Sequence, residues 1–507
     1  MARIENSLKS IAVSFLGYVI RILVQFASRT VFILTLGKEY LGFSGLFSSI
    51  LMLLSLAELG INTGIIYHLY EPIAQKDHEK IKALLKLYQK AYCFVGCSIG
   101  VMALLIIPFL PYLIKNPPDI PHLTWIYLFY AANSVLSYFF SYKRSIITAD
   151  QKQYVISAYS SFCLIGMHLF QIIALLITKN YFVYLSLMLF FTLLENVLLS
   201  KKADRLYPYL KEHGVRPMTR EEIAGIVDNI KALFLHKIGV VIIQGTDNLL
   251  LSKFFGLIVV GVYSNYTMIT GALNSVTGII YSSIAPSVGN LNVTESSETK
   301  LVIYNRIQFL TQWLFGFCSI CLICLLNPFI TLWLGADFVL PLPIVLVICV
   351  NYYLEGMRQP ITISRSAMGL YIYARYKPVV EAALNLAISI LLARQMGVIG
   401  IFLGTTISFL LTSFWIEPAV MYHHVFDLPF RVYLCEYLRS TAITILIGGL
   451  TYWLCSLIPN QSMIGFAGCV VICAVIPNLL YVLCYRKHPD FHYYLSFIKT
   501  LCVHKLR

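Results

Sequence analysis

The sequence predicts an all-α integral membrane protein of about fourteen transmembrane helices, from its composition, the spacing of its apolar runs and the placement of its basic residues. Of 507 residues, 58% are hydrophobic and only 12% charged, with a mean hydropathy of +0.76, whereas a soluble domain carries roughly 25% charged residues. No soluble fold of this length hides so much apolar surface. The net charge of +14 sits in short segments between apolar runs rather than in a basic domain, so it argues for membrane orientation and against nucleic acid.

A spanning helix needs about 20 apolar residues, and spans fall near 11–34, 41–70, 92–113, 122–142, 154–178 and 181–200. These six form an N-terminal lobe over residues 1–200. Residues 1–10 are polar, and the first span contains Arg21, Gln25 and Arg29 with no small-residue cleavage site, so it is a retained helix rather than a signal peptide. Residues 201–234 are a cytoplasmic linker. Within it, Ile223, Ile226, Ile230 and Leu233 recur at helical spacing with Glu221, Glu222, Asp228 and Lys231 between them, an amphipathic helix on the inner surface. A C-terminal six-helix lobe, residues 235–425, follows with spans near 235–255, 258–288, 307–335, 341–364, 378–395 and 398–420. Residues 426–507 supply two accessory spans, near 440–458 and 463–485, and a cytoplasmic tail.

With both termini cytoplasmic, roughly 30 of the 38 Lys and Arg residues fall inside and about five outside, as the positive-inside rule requires. The outer loops, such as Asn116 to His122 and Pro459 to Ser462, are short and nearly neutral.

An internal repeat is visible. TGIIY occurs at Thr63 to Tyr67 and again at Thr277 to Tyr281, each copy followed at the same distance by a proline, Pro72 and Pro286. Upstream, Gly37 and Gly42 have counterparts in Gly256 and Gly261, and Gln25 falls opposite Gln244. Six spans separate the copies, so both run the same way through the membrane and the repeat is parallel. Two six-helix lobes of this kind suit alternating access around a central cavity.

An ionisable residue at a helix centre costs roughly 2.5–3.5 kcal/mol on insertion scales, so charges within spans face water, a partner or a ligand. In the first span Arg21, Gln25, Ser28 and Arg29 make a cationic stripe, and in the seventh Lys237, Gln244 and Asn248 share a stripe with Asp247 beside it. Guanidinium forks grip phosphate oxygens, and amides suit hydroxyl-rich groups, so the stripes point to an anionic sugar compound. Snorkelling to the inner surface is the competing account of Arg21 and Lys237. Glu58 with Asn62, the set Asn351, Glu355 and Arg358, and Glu381 with Asn385 complete the intramembrane polar residues. Glu355 and Arg358 are spaced to pair on one helix. Glu58 and Glu381 read as carboxylates without a local partner, candidates for coupling to protons or sodium. Arg365, Arg375 and Lys377 read as lipid-headgroup contacts at the cytoplasmic mouth.

Nothing points to catalysis, a cofactor or a resident metal. The thirteen cysteines are dispersed through apolar segments, and the run Cys318, Cys321 and Cys324, with no His or carboxylate nearby, reads as packing. His423 and His424 near Asp427 read as interfacial packing.

The stretch RTVFILTLGKEYLGFSGLFSSILMLLSLAELGINTGIIYHLYEP, Arg29 to Pro72, is very similar to the first helical pair of the Wzx-type flippases, the polysaccharide-biosynthesis proteins of the multidrug/oligosaccharidyl-lipid/polysaccharide (MOP) exporter superfamily. The motifs EYLG, GLF and LSLAELG carry the match, and the rest of the chain agrees in length, span number and two-lobe, MATE-like layout. The resemblance implies a bacterial inner-membrane flippase. It would turn undecaprenyl-pyrophosphate-linked oligosaccharide repeat units to the outer leaflet for capsule, O-antigen or exopolysaccharide synthesis, working beside polysaccharide polymerase and chain-length proteins. It also implies a cationic cavity at Arg21, Arg29, Lys237 and Arg358 and ion coupling through Glu58 and Glu381; Asn62, Asp247 and Glu355 are further coupling candidates from their place within the spans. Relatives usually carry Gly where this chain has Asn62, so the Glu58 site departs from their pattern.

The physical problem suits that task, since sugar hydroxyls moved into hydrocarbon without partners cost several kcal/mol each. One rival reading is a multidrug or small-molecule exporter of the same fold, which would want an anionic or aromatic cavity. Another is a membrane polysaccharide polymerase or glycosyltransferase, but no large outer loop and no Asp-x-Asp motif supports it. A scaffold in an assembly complex would not require buried Arg and Glu.

Overall fold

The computed structural model describes the backbone of residues 2–505 apart from 59–60, 116–121, 140, 213–217, 295, 369 and 460–461. Side chains at 2–16, 57, 61–65, 228–237, 240, 244, 286–287, 290–294, 367, 371–372, 497–498 and 501–505 also lie outside the description. That takes in the candidates Asn62, Lys237 and Gln244, the C-terminal half of the amphipathic stretch, most of the outer loop from Asn116 to His122 and half of that from Pro459 to Ser462. The described chain is all helix and divides into two compact units, Met1–Ser264 and Asn265–Arg507.

The first unit contains α1 (Ala2–Leu36), α2 (Lys38–Leu54), α3 (Ile61–Gln75), α4 (His78–Ile106), the short α5 (Leu110–Leu113), α6 (Leu123–Phe139), α7 (Ser141–Ala149), α8 (Gln153–Thr178), α9 (Tyr181–Leu206) and α10 (Arg220–Phe255). It also takes the start of α11 (Leu257–Thr294). The second unit holds the remainder of α11, α12 (Ser297–Leu334), α13 (Leu342–Met357), α14 (Gln359–Ala367), α15 (Lys377–Met396), α16 (Val398–Leu411), α17 (Ser413–Met421), α18 (Phe430–Ser456), α19 (Met463–Tyr485) and α20 (Pro489–Lys505).

Among the described residues ten helices are long and apolar enough to cross a membrane. Two of the other sequence spans are interrupted. The span at 41–70 breaks into α2, a 3-10 turn at Ser55–Glu58, and α3. That at 341–364 divides into α13 and α14, with Arg358 as the residue between them. The span at 122–142 comprises α6 and α7, which flank residue 140 outside the description. The seventh span lies within α10, whose middle carries side chains outside the description. The amphipathic stretch is no separate element: Thr219 and Glu222 close a reciprocal capping box, and the helix they start runs unbroken through Phe255.

The repeat has a structural counterpart in its glycines. Gly37, between α1 and α2, has φ 89° and ψ −176°. Gly256, between α10 and α11, has φ 92° and ψ 173°. That region of backbone space is open to glycine and closed to side chains. Five residues beyond each, Gly42 on α2 and Gly261 on α11 lie at one helix crossing: a Cβ on Gly42 would collide with the Leu257 carbonyl, and one on Gly261 would meet Lys38 and Gly42 itself. Missing side chains let the two backbones touch, the usual device for helix association without a hydrophobic driving force.

Around these elements the first unit packs Leu69, Ile81, Leu84, Tyr88, Tyr92 and Ile146 into one core. The second unit packs Phe309, Ile320, Ile447, Tyr481 and four cysteines into another.

Candidate functional site

Arg29 lies seven residues before the end of α1, deep enough that its guanidinium must find partners within the protein. One terminal nitrogen donates to the Ser264 carbonyl at 3.1 Å and to the Ser264 hydroxyl at 3.0 Å. Its Nε has no hydrogen-bond partner, and among the described residues no carboxylate lies within ion-pair distance. Its electrostatic neighbours are instead the phenols Tyr184 and Tyr130. These belong to an aromatic cluster: Tyr130 and Tyr181 share a hydroxyl contact of 3.0 Å, Phe32 meets both Tyr181 and Tyr184 edge-on, and Tyr40 meets Tyr181 at 4.9 Å. The neighbouring Ser28 is buried and bonds to His168 at 3.2 Å.

The rest of the α1 stripe behaves differently. Arg21 is half-buried and rests over its own helix on Tyr18, 4.9 Å from the ring centre, and Gln25 is exposed. On α10, Asn248 donates to Ser49 of α2 at 2.9 Å, while one oxygen each of Asp247 and Asn248 is buried without a partner. Glu58 is half-buried at the end of its 3-10 turn with Tyr138 bonded to it and Tyr92 close by. The carboxylate therefore sits where the helix ladder is already broken.

The second unit gathers its charges into one buried cluster around a residue that the sequence reading passed over. Glu417 on α17 accepts from Arg358 Nε and from the terminal nitrogen, both at 2.7 Å, in a forked pair. It also meets Arg365 at 2.6 Å and Lys377 at 2.9 Å. Lys377 reaches Glu381 at 2.7 Å, and Ser413 donates to the same carboxylate at 2.8 Å.

Three expectations are thereby corrected. Arg358 pairs with Glu417 rather than with Glu355 on its own helix, because α13 ends at Met357 and the break turns the guanidinium toward α17; Glu355 is exposed. Arg365 and Lys377 are not at a headgroup surface, since their side chains are 4% and 2% exposed and face Glu417. Glu381 does have a local partner, Lys377 one turn earlier on α15. Asn385 and Asn351 are likewise occupied, the first donating to Thr405 at 2.9 Å and the second to the Phe402 carbonyl at 3.0 Å. Arg375 is exposed over Tyr376, and His424 stacks on Tyr373 with 4.0 Å between ring centres.

Glu417 left a legible trace, since it is the sole charged residue in the run from Val398 to Met421. The tyrosines around Arg29 left none, because they come from α2, α6 and α9 and each alone reads as ordinary membrane packing.

No protein-family model matches the chain, and no curated protein matches it. Solved structures do. The chain is similar to the lipid II flippase MurJ in an inward closed conformation, with 13% identity, a TM-score of 0.65, and coverage of 95% of this chain and 99% of the other. It is similar to a multidrug resistance MATE family transporter of the MOP superfamily in an inward-facing conformation, with 14% identity, a TM-score of 0.62, and coverage of 79% and 94%. A MOP superfamily transporter from Pyrococcus furiosus, whose binding pocket is described as reversed in polarity, matches with 13% identity, a TM-score of 0.51, and coverage of 82% and 96%. This chain is thus a multi-pass, all-helical membrane protein with the fold of these MurJ and MATE structures.

Proposed function

We propose that the chain is a flippase that moves an anionic, lipid-linked oligosaccharide across the membrane by alternating access. Arg29 carries the reading. It is an intramembrane guanidinium held in place by Ser264 yet not neutralised by a carboxylate among the described residues, whereas Arg358, Arg365 and Lys377 have their charge taken up by Glu417 and Glu381. A cation left with donor capacity in a low-dielectric setting is matched by an anion that arrives with the ligand, and a pyrophosphate offers the acceptor geometry. The phenols beside it present hydroxyls and flat faces of the kind that bind sugars. Substrate contacts are assigned to Arg29 first, with Arg21, Gln25, Lys237, Gln244 and Asn248 as the remaining stripe residues.

Glu58 is the favoured coupling group, because a carboxylate at an interrupted helix resembles the broken-helix ion sites of secondary transporters. Asn62 and Asp247 are its companions. In this reading the protein belongs to a bacterial inner membrane with both termini cytoplasmic, and a polysaccharide polymerase and chain-length proteins act beside it. A MATE-like exporter of small cations is the second reading, favoured by the unpartnered oxygen of Asp247.

The test is leaflet-to-leaflet movement of a polyprenyl-pyrophosphate sugar in vesicles containing the purified chain. Arg29→Ala should abolish movement while the protein remains monodisperse, and Arg29→Lys should restore only part, because the fork is lost. Full transport by Arg29→Ala would remove the proposal, and efflux of a cationic dye without sugar-lipid movement would select the exporter.

A further inference from the structure

The cysteines of the second unit are not dispersed in space. Cys324 on α12, Cys455 on α18 and Cys473 on α19 bring their sulfurs together, all within 4.8 Å of one another. Cys455 and Cys473 are 3.8 Å apart. Two further thiols border the trio: Cys469 points to the Cys455 carbonyl at 3.7 Å and Cys321 to the Cys473 carbonyl at 4.0 Å. Cys324, Cys455 and Cys473 are 4%, 3% and 1% exposed, and their surroundings include Ile320, Ile447, Phe317 and Leu325.

The run Cys318, Cys321 and Cys324 does not itself form the group. Cys318 lies on another face of α12, against Tyr352, and the partners of Cys324 come from two helices more than 120 residues away in sequence. That is why spacing along the chain argued for packing.

We propose that Cys324, Cys455 and Cys473 form a binding site for a thiophilic d10 metal ion, with copper(I) the best match. Three sulfurs bonded to one ion at about 2.3 Å in a plane stand about 4.0 Å apart, and the observed trio needs shifts of under about 1 Å to reach that arrangement. Soft thiolates select such ions, and an apolar shell with no carboxylate, imidazole or carbonyl ligand in the ring of sulfurs offers nothing to hard cations. Coordination number narrows the choice. Zinc in a structural site almost always takes four ligands, whereas the trio supplies three, and a monovalent ion held by one thiolate and two thiols is neutral, as a dry interior requires. Each thiol that ligates as thiolate gives its proton to solvent, so loading releases protons and no electron transfer is involved. Because it ties together three helices that do not include Arg29 or Glu58, this site is independent of the proposed flippase activity.

The experiment is an anaerobic titration of the full-length chain in detergent, reduced beforehand, against a chromogenic copper(I) chelator. Wild type should withhold one equivalent of copper(I) from the chelator and develop copper–thiolate charge-transfer absorption. Cys473→Ala and, separately, Cys455→Ala should lower retention at least tenfold, while Cys97→Ala, at an exposed position on α4, should match wild type. If wild type leaves all copper(I) with the chelator, or if folded Cys473→Ala and Cys455→Ala retain as much as wild type, the site does not exist. The wild-type titration decides the matter even where a variant fails to fold.

Discussion

Replacing Glu417 with Ala tests whether the buried charge cluster holds the second unit together. The carboxylate is 2% exposed and receives four contacts, two from Arg358 and one each from Arg365 and Lys377, all at 2.6–2.9 Å. Three cations currently face two carboxylates; after the substitution they face Glu381 alone. Arg365 and Lys377 then lose an anion while remaining buried at 4% and 2% exposure. Breaking a buried pair by removing one partner costs about 3–5 kcal/mol, most of it from the stranded charge. For a body of this size about 1 kcal/mol lowers Tm by roughly 2–4 °C, so the expected drop is roughly 6–20 °C. The assay is thermal unfolding in detergent followed by a thiol-reactive dye, which is suited to this unit because Cys469 and Cys473 are essentially inaccessible until it opens. Glu417→Gln should fall between, keeping the shape and one good acceptor. A Glu417→Ala protein that melts within 2 °C of wild type would refute the reasoning, since the cluster would then be solvated enough to tolerate its own repulsion.

Two further outcomes follow from the first unit. Gly42→Ala should cost about 1–3 kcal/mol, because the added methyl meets the Leu257 carbonyl on a backbone that cannot yield cheaply; Gly261→Ala should do the same, and the double variant should cost clearly less than the sum, as measured by thermal exposure of the first unit's own buried thiol, Cys163. Glu58→Gln should leave sugar-lipid exchange between leaflets intact but remove its acceleration by a pH gradient. Unchanged acceleration would take Glu58 out of the coupling role.

What the sequence shows well is what depends on one helix at a time. Hydropathy needs only local composition, and the matched glycines need only two short windows, so the helical class and the repeat were both readable. The interruptions at Glu58 and Arg358 were only faintly marked: Gly60 and Pro360 each stand two residues beyond the break, but glycine and proline are common within membrane helices and do not by themselves signal one. The charge cluster was half readable. Arg358 and Glu381 stood out inside spans, but Arg365 and Lys377 lie near span ends, where snorkelling is the ordinary account; only the approach of α17 to α14 and α15 reveals what holds them. The thiol trio was the least readable, since its geometry exists only once α12, α18 and α19 have packed.

The crossing of Gly42 and Gly261 has one more implication. Each is the other's counterpart in the repeat, and they meet face to face, so this crossing is the intramolecular form of an isologous contact, in which a patch packs against its own copy across a two-fold axis. In a true homodimer every substitution on such an axis is made twice and its effect on one side can never be observed. Here the two sides are encoded separately. A bulkier residue can be placed on α2 alone, on α11 alone or on both, and the difference between the two single variants measures how far the two halves of the crossing have diverged in the force they exert on each other.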